Sequence, residues 1–248
     1  MLYVPSSCPA PGSEAQEAVH LILELEDAVG LVKAGLHELQ RIDGANDAYH
    51  QPFMSLSNGL ERLMKVVVCY HERVTTGAFP PSARWKRGAS GHDLEPLLDQ
   101  ILKECFTSSY TDLIPAARVD AHVLKSNQRL RRIVSILSGY GKGARYHNLD
   151  GATTGGSDNE SPEAQWMRLE MEIHQERPGW AEELQDGSRL GEVYRIVNKE
   201  LVTCIELLVR ALARLFTLGR LGDEGKRASP SVLSFARLRD EELGDTSY

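Results

Sequence analysis

Between residues 189 and 219, Val193, Ile196, Val197, Leu201, Ile205, Leu208, Val209, Leu212, Leu215 and Phe216 recur at steps of one, three and four. That rhythm fits 3.6 residues per turn and fits no strand, whose faces alternate every second residue. A helix with so wide an apolar stripe needs other apolar faces to cover it. The rest of the chain repeats the same period. Residues 14–42 carry Val19, Ile22, Leu23, Ala28, Leu31, Leu36 and Leu39, and residues 52–74 carry Leu56, Leu60, Leu63, Met64 and Val67. "HDLEPLLDQILKECF" adds a shorter stripe with Asp93 placed as its N-cap and Pro96 in its first turn, where proline is tolerated. A further helix is expected over 115–137 and another over 162–177, the latter started by Ser161-Pro162-Glu163. No stretch has period two and no segment repeats. The fold class is all-α, an up-and-down helical bundle.

Composition narrows the function. Apolar residues make up 42% of the 248 and charged residues 25%, enough for a packed core. Cys8, Cys69, Cys105 and Cys204 form no C-x-x-C pair and are read as reduced. "MLYVPSSCPAPGSE" lacks the basic and apolar regions of a secretory leader, and no apolar run is long enough to span a bilayer, so a cytoplasmic protein without membrane contact is expected. P-loop, dinucleotide and nucleophile-elbow patterns are absent. Glu170 and His174 stand at i, i+4, but no matching pair faces them from another helix. The expectation is no cofactor and no metal.

Net charge is −7, so any polyanion site must be a local patch. One exists. From Arg118 to Asn148 seven basic residues face the single acidic residue Asp120. On one continuous helix, Arg118, Lys125, Arg129 and Arg132 would share a face opposite Leu130, Ile133, Val134 and Leu137, a row suited to a phosphate backbone. The competing reading is a solvated face that pairs with acidic residues such as Glu163, Glu170 and Glu172. The Gly-rich "GYGKGARYHNLD" (139–150) follows this row. Here Arg145 and His147 could hold and protonate a phosphodiester, since imidazole titrates near neutrality. Equally, the stretch reads as a helix stop, with Arg145 bonding the last carbonyls. His92 and Asp93 read as structural, and Lys65 as a stem lying along an apolar stripe.

Three stretches together resemble the HEPN superfamily of helical bundles: "GLERLMKVVVCYH" (59–71), "GHDLEPLL" (91–98) and "GARYHNL" (143–149). They follow that family's order and cover residues 14–150. The resemblance implies a dimeric bundle that binds RNA or cleaves it without metal, in a defence or toxin-type system, with an antitoxin or other protein partner possible. Active members pair an Arg with a His four to six residues later. Here Arg145 precedes His147 by two, Lys142 precedes it by five, and Arg118 precedes His122 by four. The expected catalytic residues are Arg145 and His147, with Arg118, Lys125, Arg129, Arg132 and Lys142 binding RNA. The alternative is a non-catalytic helical module for dimerisation or scaffolding. The organisation expected is a disordered 1–13, a bundle over 14–150, a polar loop over 151–161, a helical pair over 162–222 packing on the bundle, and a linker and polar tail over 223–248 that carries at most a short helix near Val232 to Arg237.

Overall fold

In the computed structural model the described residues are 14–43, 45–46, 48–81, 85, 92–142, 160–179 and 190–248. They form helices and turns, and no strand forms among them. Two 27-residue helices open the fold, α1 (Glu14–Gln40) and α2 (His50–Thr76). Their partners run in opposite senses: Glu14 meets Arg73, Glu24 meets Arg62, and Val32 meets Gly59. The pair is therefore antiparallel. Its closeness depends on glycine. A Cβ on Gly59 would lie 2.8 Å from the Val32 backbone nitrogen and 3.1 Å from the Ala28 carbonyl oxygen, and backbone cannot step aside. Gly77, at φ 82°, ends α2 by donating its N–H to the Arg73 carbonyl.

Next come α3 (Leu94–Glu104), α4 (Ser108–Leu113), α5 (Pro115–Ser126) and α6 (Gln128–Lys142). The single helix expected over 115–137 is thus two. Asn127 adopts ψ 98°, closes α5 by donating its N–H to the Val123 carbonyl, and accepts the Leu130 N–H on Oδ1 to cap α6. Pro115 explains the other break, because it pushes Ile114 out of the helical region and itself takes the first helical position. The basic row is therefore shared between two helices.

α7 (Pro162–Gln175) is capped by Ser161, whose hydroxyl accepts the Ala164 N–H. It docks through the fully buried Trp166, whose ring lies 4.9 Å from that of Phe53; Phe53 in turn meets Tyr140 edge-on at 5.6 Å. The long apolar helix α8 (Leu190–Thr217) runs through the centre and touches α1, α2, α5, α6 and α7. Its stripe joins one apolar cluster with the faces of α1–α7.

The linker and polar tail expected over 223–248 fold instead. α9 (Gly222–Ala228), a 3-10 turn over Ser229–Val232, α10 (Leu233–Ala236) and a 3-10 turn over Asp240–Glu242 wrap the α1–α8 seam. Val232 and Phe235 are fully buried there. The apolar residues are too few and too widely spaced to show a period, and tertiary burial selects them instead. Cys69, Cys105 and Cys204 form no disulfide among the described residues, and burial pushes Cys105 up to about 12 and Cys204 up to about 11.

Candidate functional site

The beginning of α3, the middle of α2 and the end of α6 meet at one corner of the bundle. α6 does not stop at Leu137. It continues through Gly139 and Gly141 to Lys142, so the glycines do not terminate it. Gly141 has a different task. A Cβ there would come within 2.5 Å of the Ser57 hydroxyl and 3.7 Å of the His92 carbonyl oxygen, so its absence lets α6 close onto α2 and the His92 turn.

Ser138, wholly buried, stitches the corner. Its hydroxyl accepts the Leu94 N–H at 2.9 Å and donates to Asp93 Oδ1 at 2.7 Å. Asp93 also accepts the Glu95 N–H, as the α3 cap expected from the sequence. Its other oxygen takes Lys142 Nζ at 2.8 Å. Partial burial alone would raise the Asp93 carboxyl. The hydrogen bonds from Lys142, Ser138 and the Glu95 amide, with the Lys142 charge, hold it below its ordinary value.

Beside it, His92 Nδ1 lies 3.0 and 2.9 Å from the two carboxylate oxygens of Glu61. A carboxylate can only accept, so Nδ1 carries the proton and Nε2 of the neutral ring is an acceptor. Glu61 is also paired with Lys65 at 2.5 Å, one turn along α2, and Lys65 lies 5.5 Å over the Trp85 ring. The Glu61 side chain is 10% exposed and that of His92 is 53% exposed. The Tyr140 hydroxyl and His50 Nδ1 share a hydrogen bond at 2.5 Å. Met54, Ser57, Asn58, Glu61, His92, Tyr140 and Gly141 line a cleft of about 50 Å³, room for a few waters and too small for a nucleoside.

The corner is therefore a place where proton-bearing and cationic groups converge at a surface. Glu61 and Lys65 come from the stretch 59–71, and His92 and Asp93 from the stretch 91–98. Arg145 and His147 lie outside the described residues.

The expected RNA-binding residues are distributed differently. Arg129 bonds Glu176 at 2.7 Å and Glu200 at 3.2 Å, and Arg132 bonds Glu172. Arg118 donates to the Thr111 and Asp112 carbonyls and lies 3.5 Å from the Asp112 carboxylate. Lys142 is held by Asp93, and Lys125 is exposed. Of the acidic partners foreseen, Glu172 takes that role. Glu170 instead accepts from Tyr49 at 2.8 Å and Trp166 at 3.0 Å. Phosphate contact along α5 and α6 must displace these carboxylates first.

Sequence reasoning missed Glu61 and set His92 aside as structural. The signal was Glu61-x-x-x-Lys65 in an otherwise apolar stretch, a buried charge that demands a partner. Among the described residues no group of three or more His, Cys, Asp or Glu side chains is placed to hold a metal ion, and no helix is long and apolar enough to cross a membrane. Compared with family models, with curated proteins and with solved structures, the chain matches none.

Proposed function

We propose that this chain binds RNA, and cleaves it without metal, at the α2–α3–α6 corner, as a HEPN-like protein of a defence or toxin-type system. The observation that carries the reading is the convergence of Glu61, His92, Asp93 and Lys142 at the end of α6. Such a corner offers a phosphodiester both a cation and an imidazole. A homodimer and a protein inhibitor belong to the same reading.

Incubating a mixed RNA pool in EDTA with wild type, Arg145→Ala and His147→Ala tests it. Cleavage by wild type that is lost in both folded variants is the expected result. Wild type that leaves RNA intact in EDTA contradicts the catalytic reading.

A second reading is a non-catalytic helical interaction module. It is favoured by the ion pairs of Arg129 and Arg132. Met167 and Met171, 57% and 45% exposed, add to it beside a groove of about 140 Å³ formed with Val193, Tyr194 and Val197. RNA binding falls steeply with added salt because counterions are released, whereas association through this apolar face does not.

A further inference from the structure

We propose that His92, oriented by Glu61, is the group that moves the proton in RNA cleavage at this corner; the inference rests on the RNA-cleaving reading above. Three features carry it. First, the ring is fixed: both Glu61 oxygens lie within 3.0 Å of Nδ1, which sets the tautomer and leaves Nε2 as the basic nitrogen. Second, the ring is reachable. Glu61 is buried, but half of the His92 side chain faces outward beside the cleft, and no hydrogen bond to Nε2 forms among the described residues. Third, a cation is at hand. Lys142 reaches the same turn from α6, where a phosphate must displace Asp93 from it, and Gly141 keeps the helix end close.

The ion-paired Arg129 and Arg132 offer no such group, since guanidinium does not exchange its proton near neutrality.

The step balances with solvent alone. His92 Nε2 takes the proton of a ribose 2′-hydroxyl, and the 2′-oxygen pair forms a bond to the adjacent phosphorus. The bond from phosphorus to the 5′-oxygen breaks, its electrons leave with that oxygen, and the oxygen takes a proton from water. The imidazolium then returns its proton to solvent. The products are a 2′,3′-cyclic phosphate and a 5′-hydroxyl. A 2′-deoxynucleotide at the scissile position therefore blocks the reaction.

Glu61 is a positioning residue: it holds the ring through Nδ1 and does not itself meet the RNA, so Glu61→Gln acts on the cleavage step and not on RNA binding.

The test is single-turnover cleavage of a 5′-labelled oligoribonucleotide in EDTA over a range of enzyme concentrations, which separates the cleavage rate from binding. It compares wild type, His92→Ala, His92→Gln, Glu61→Gln, Arg145→Ala and His147→Ala, each checked for an unchanged melt. Gln at 92 keeps a donor for Glu61, so it separates chemistry from folding. The expected result is about a 100-fold loss in both His92 variants. Glu61→Gln is expected to lose about tenfold in the rate at saturating enzyme, with the half-saturating concentration unchanged. His92 variants that cleave like wild type, while Arg145→Ala or His147→Ala does not, overturn this inference and leave the RNA-cleaving reading standing. A Glu61→Gln variant that cleaves at the wild-type rate, or that loses only binding, overturns the role of Glu61. Wild type that leaves the oligoribonucleotide intact overturns both the inference and the reading beneath it.

Discussion

Two polar clusters sit at different places in this bundle, and the same residue types behave differently in them. Around the C-terminal half of α8, Asp120 pairs with Arg214, Arg210 pairs with Asp240 and donates to the Leu238 carbonyl, and Glu206 accepts Gly244 N–H and Tyr248 OH, each at 2.5 Å. At the α2–α3–α6 corner, Glu61 serves His92 and Lys65, and Asp93 serves Ser138 and Lys142. In the first cluster burial outweighs the partners. It raises the Asp120 carboxyl despite Arg214, and the Glu206 carboxyl despite Tyr248 and Gly244. In the second the partners outweigh burial, and Asp93 is held low. The α8 cluster fastens helices and the C-terminal turns to one another, with Asp120, Glu206 and Arg210 enclosed. The corner favours the charged form of Asp93 and presents a ring nitrogen to solvent. Enclosure marks the structural cluster, and access marks the candidate for chemistry.

The largest expected effect breaks the enclosed cluster. Glu206→Ala strands the Gly244 N–H and the Tyr248 hydroxyl, at a cost of roughly 3 kcal/mol in urea unfolding. A loss below about 1 kcal/mol means that water replaces the carboxylate and the C-terminal turns are not fastened by it. Gly141→Ala comes next. The added methyl meets the Ser57 hydroxyl, and overpacking costs about 1–3 kcal/mol, partly offset by better helix propensity. It should also impair any activity of the corner more than Gly139→Ala, because nothing lies within 4 Å of a Cβ at Gly139.

The two clusters should also respond oppositely to pH. Asp93 is depressed when folded, so its contribution is complete above its ordinary 3.8 and is lost as the pH falls through the lower folded value. Glu206 is raised when folded, so the folded state holds the proton more tightly, and stability declines as the pH rises from 4.5 toward the raised value. Asp93→Asn should flatten the acid limb of stability against pH, and Glu206→Gln the decline above 4.5. The comparison fails if both variants change the same limb. The smallest effect belongs to the exposed pair at Arg118, where Arg118→Ala should cost no more than about 0.5 kcal/mol in thermal unfolding.

Much of the bundle is legible because burial writes a period into the sequence. The stripes of α1, α2, α3 and α8 gave those helices, and Asp93 and Ser161 gave two caps. What escaped depends on single residues whose meaning is set by a distant partner. Asn127 divides one apparent helix into two because its own side chain caps the second. The short helix expected near Val232 to Arg237 forms, but its packing was hidden: Leu221, Val232 and Phe235 look like scattered apolar residues until α1 and α8 bury them. The site was half legible. Lys142 and the 139–150 stretch marked the corner, while the Glu61–His92 pair spans 31 positions and leaves no local pattern.

The central claim is that RNA meets this corner and not the ion-paired face of α5 and α6. Backbone amide shifts measured while titrating a 2′-O-methyl oligoribonucleotide, which binds without being cleaved, test it most directly. The account predicts the largest shifts at Ser57–Glu61, His92–Leu94 and Ser138–Lys142. Shifts concentrated at Arg118–Arg132, or none at saturating oligonucleotide, contradict it.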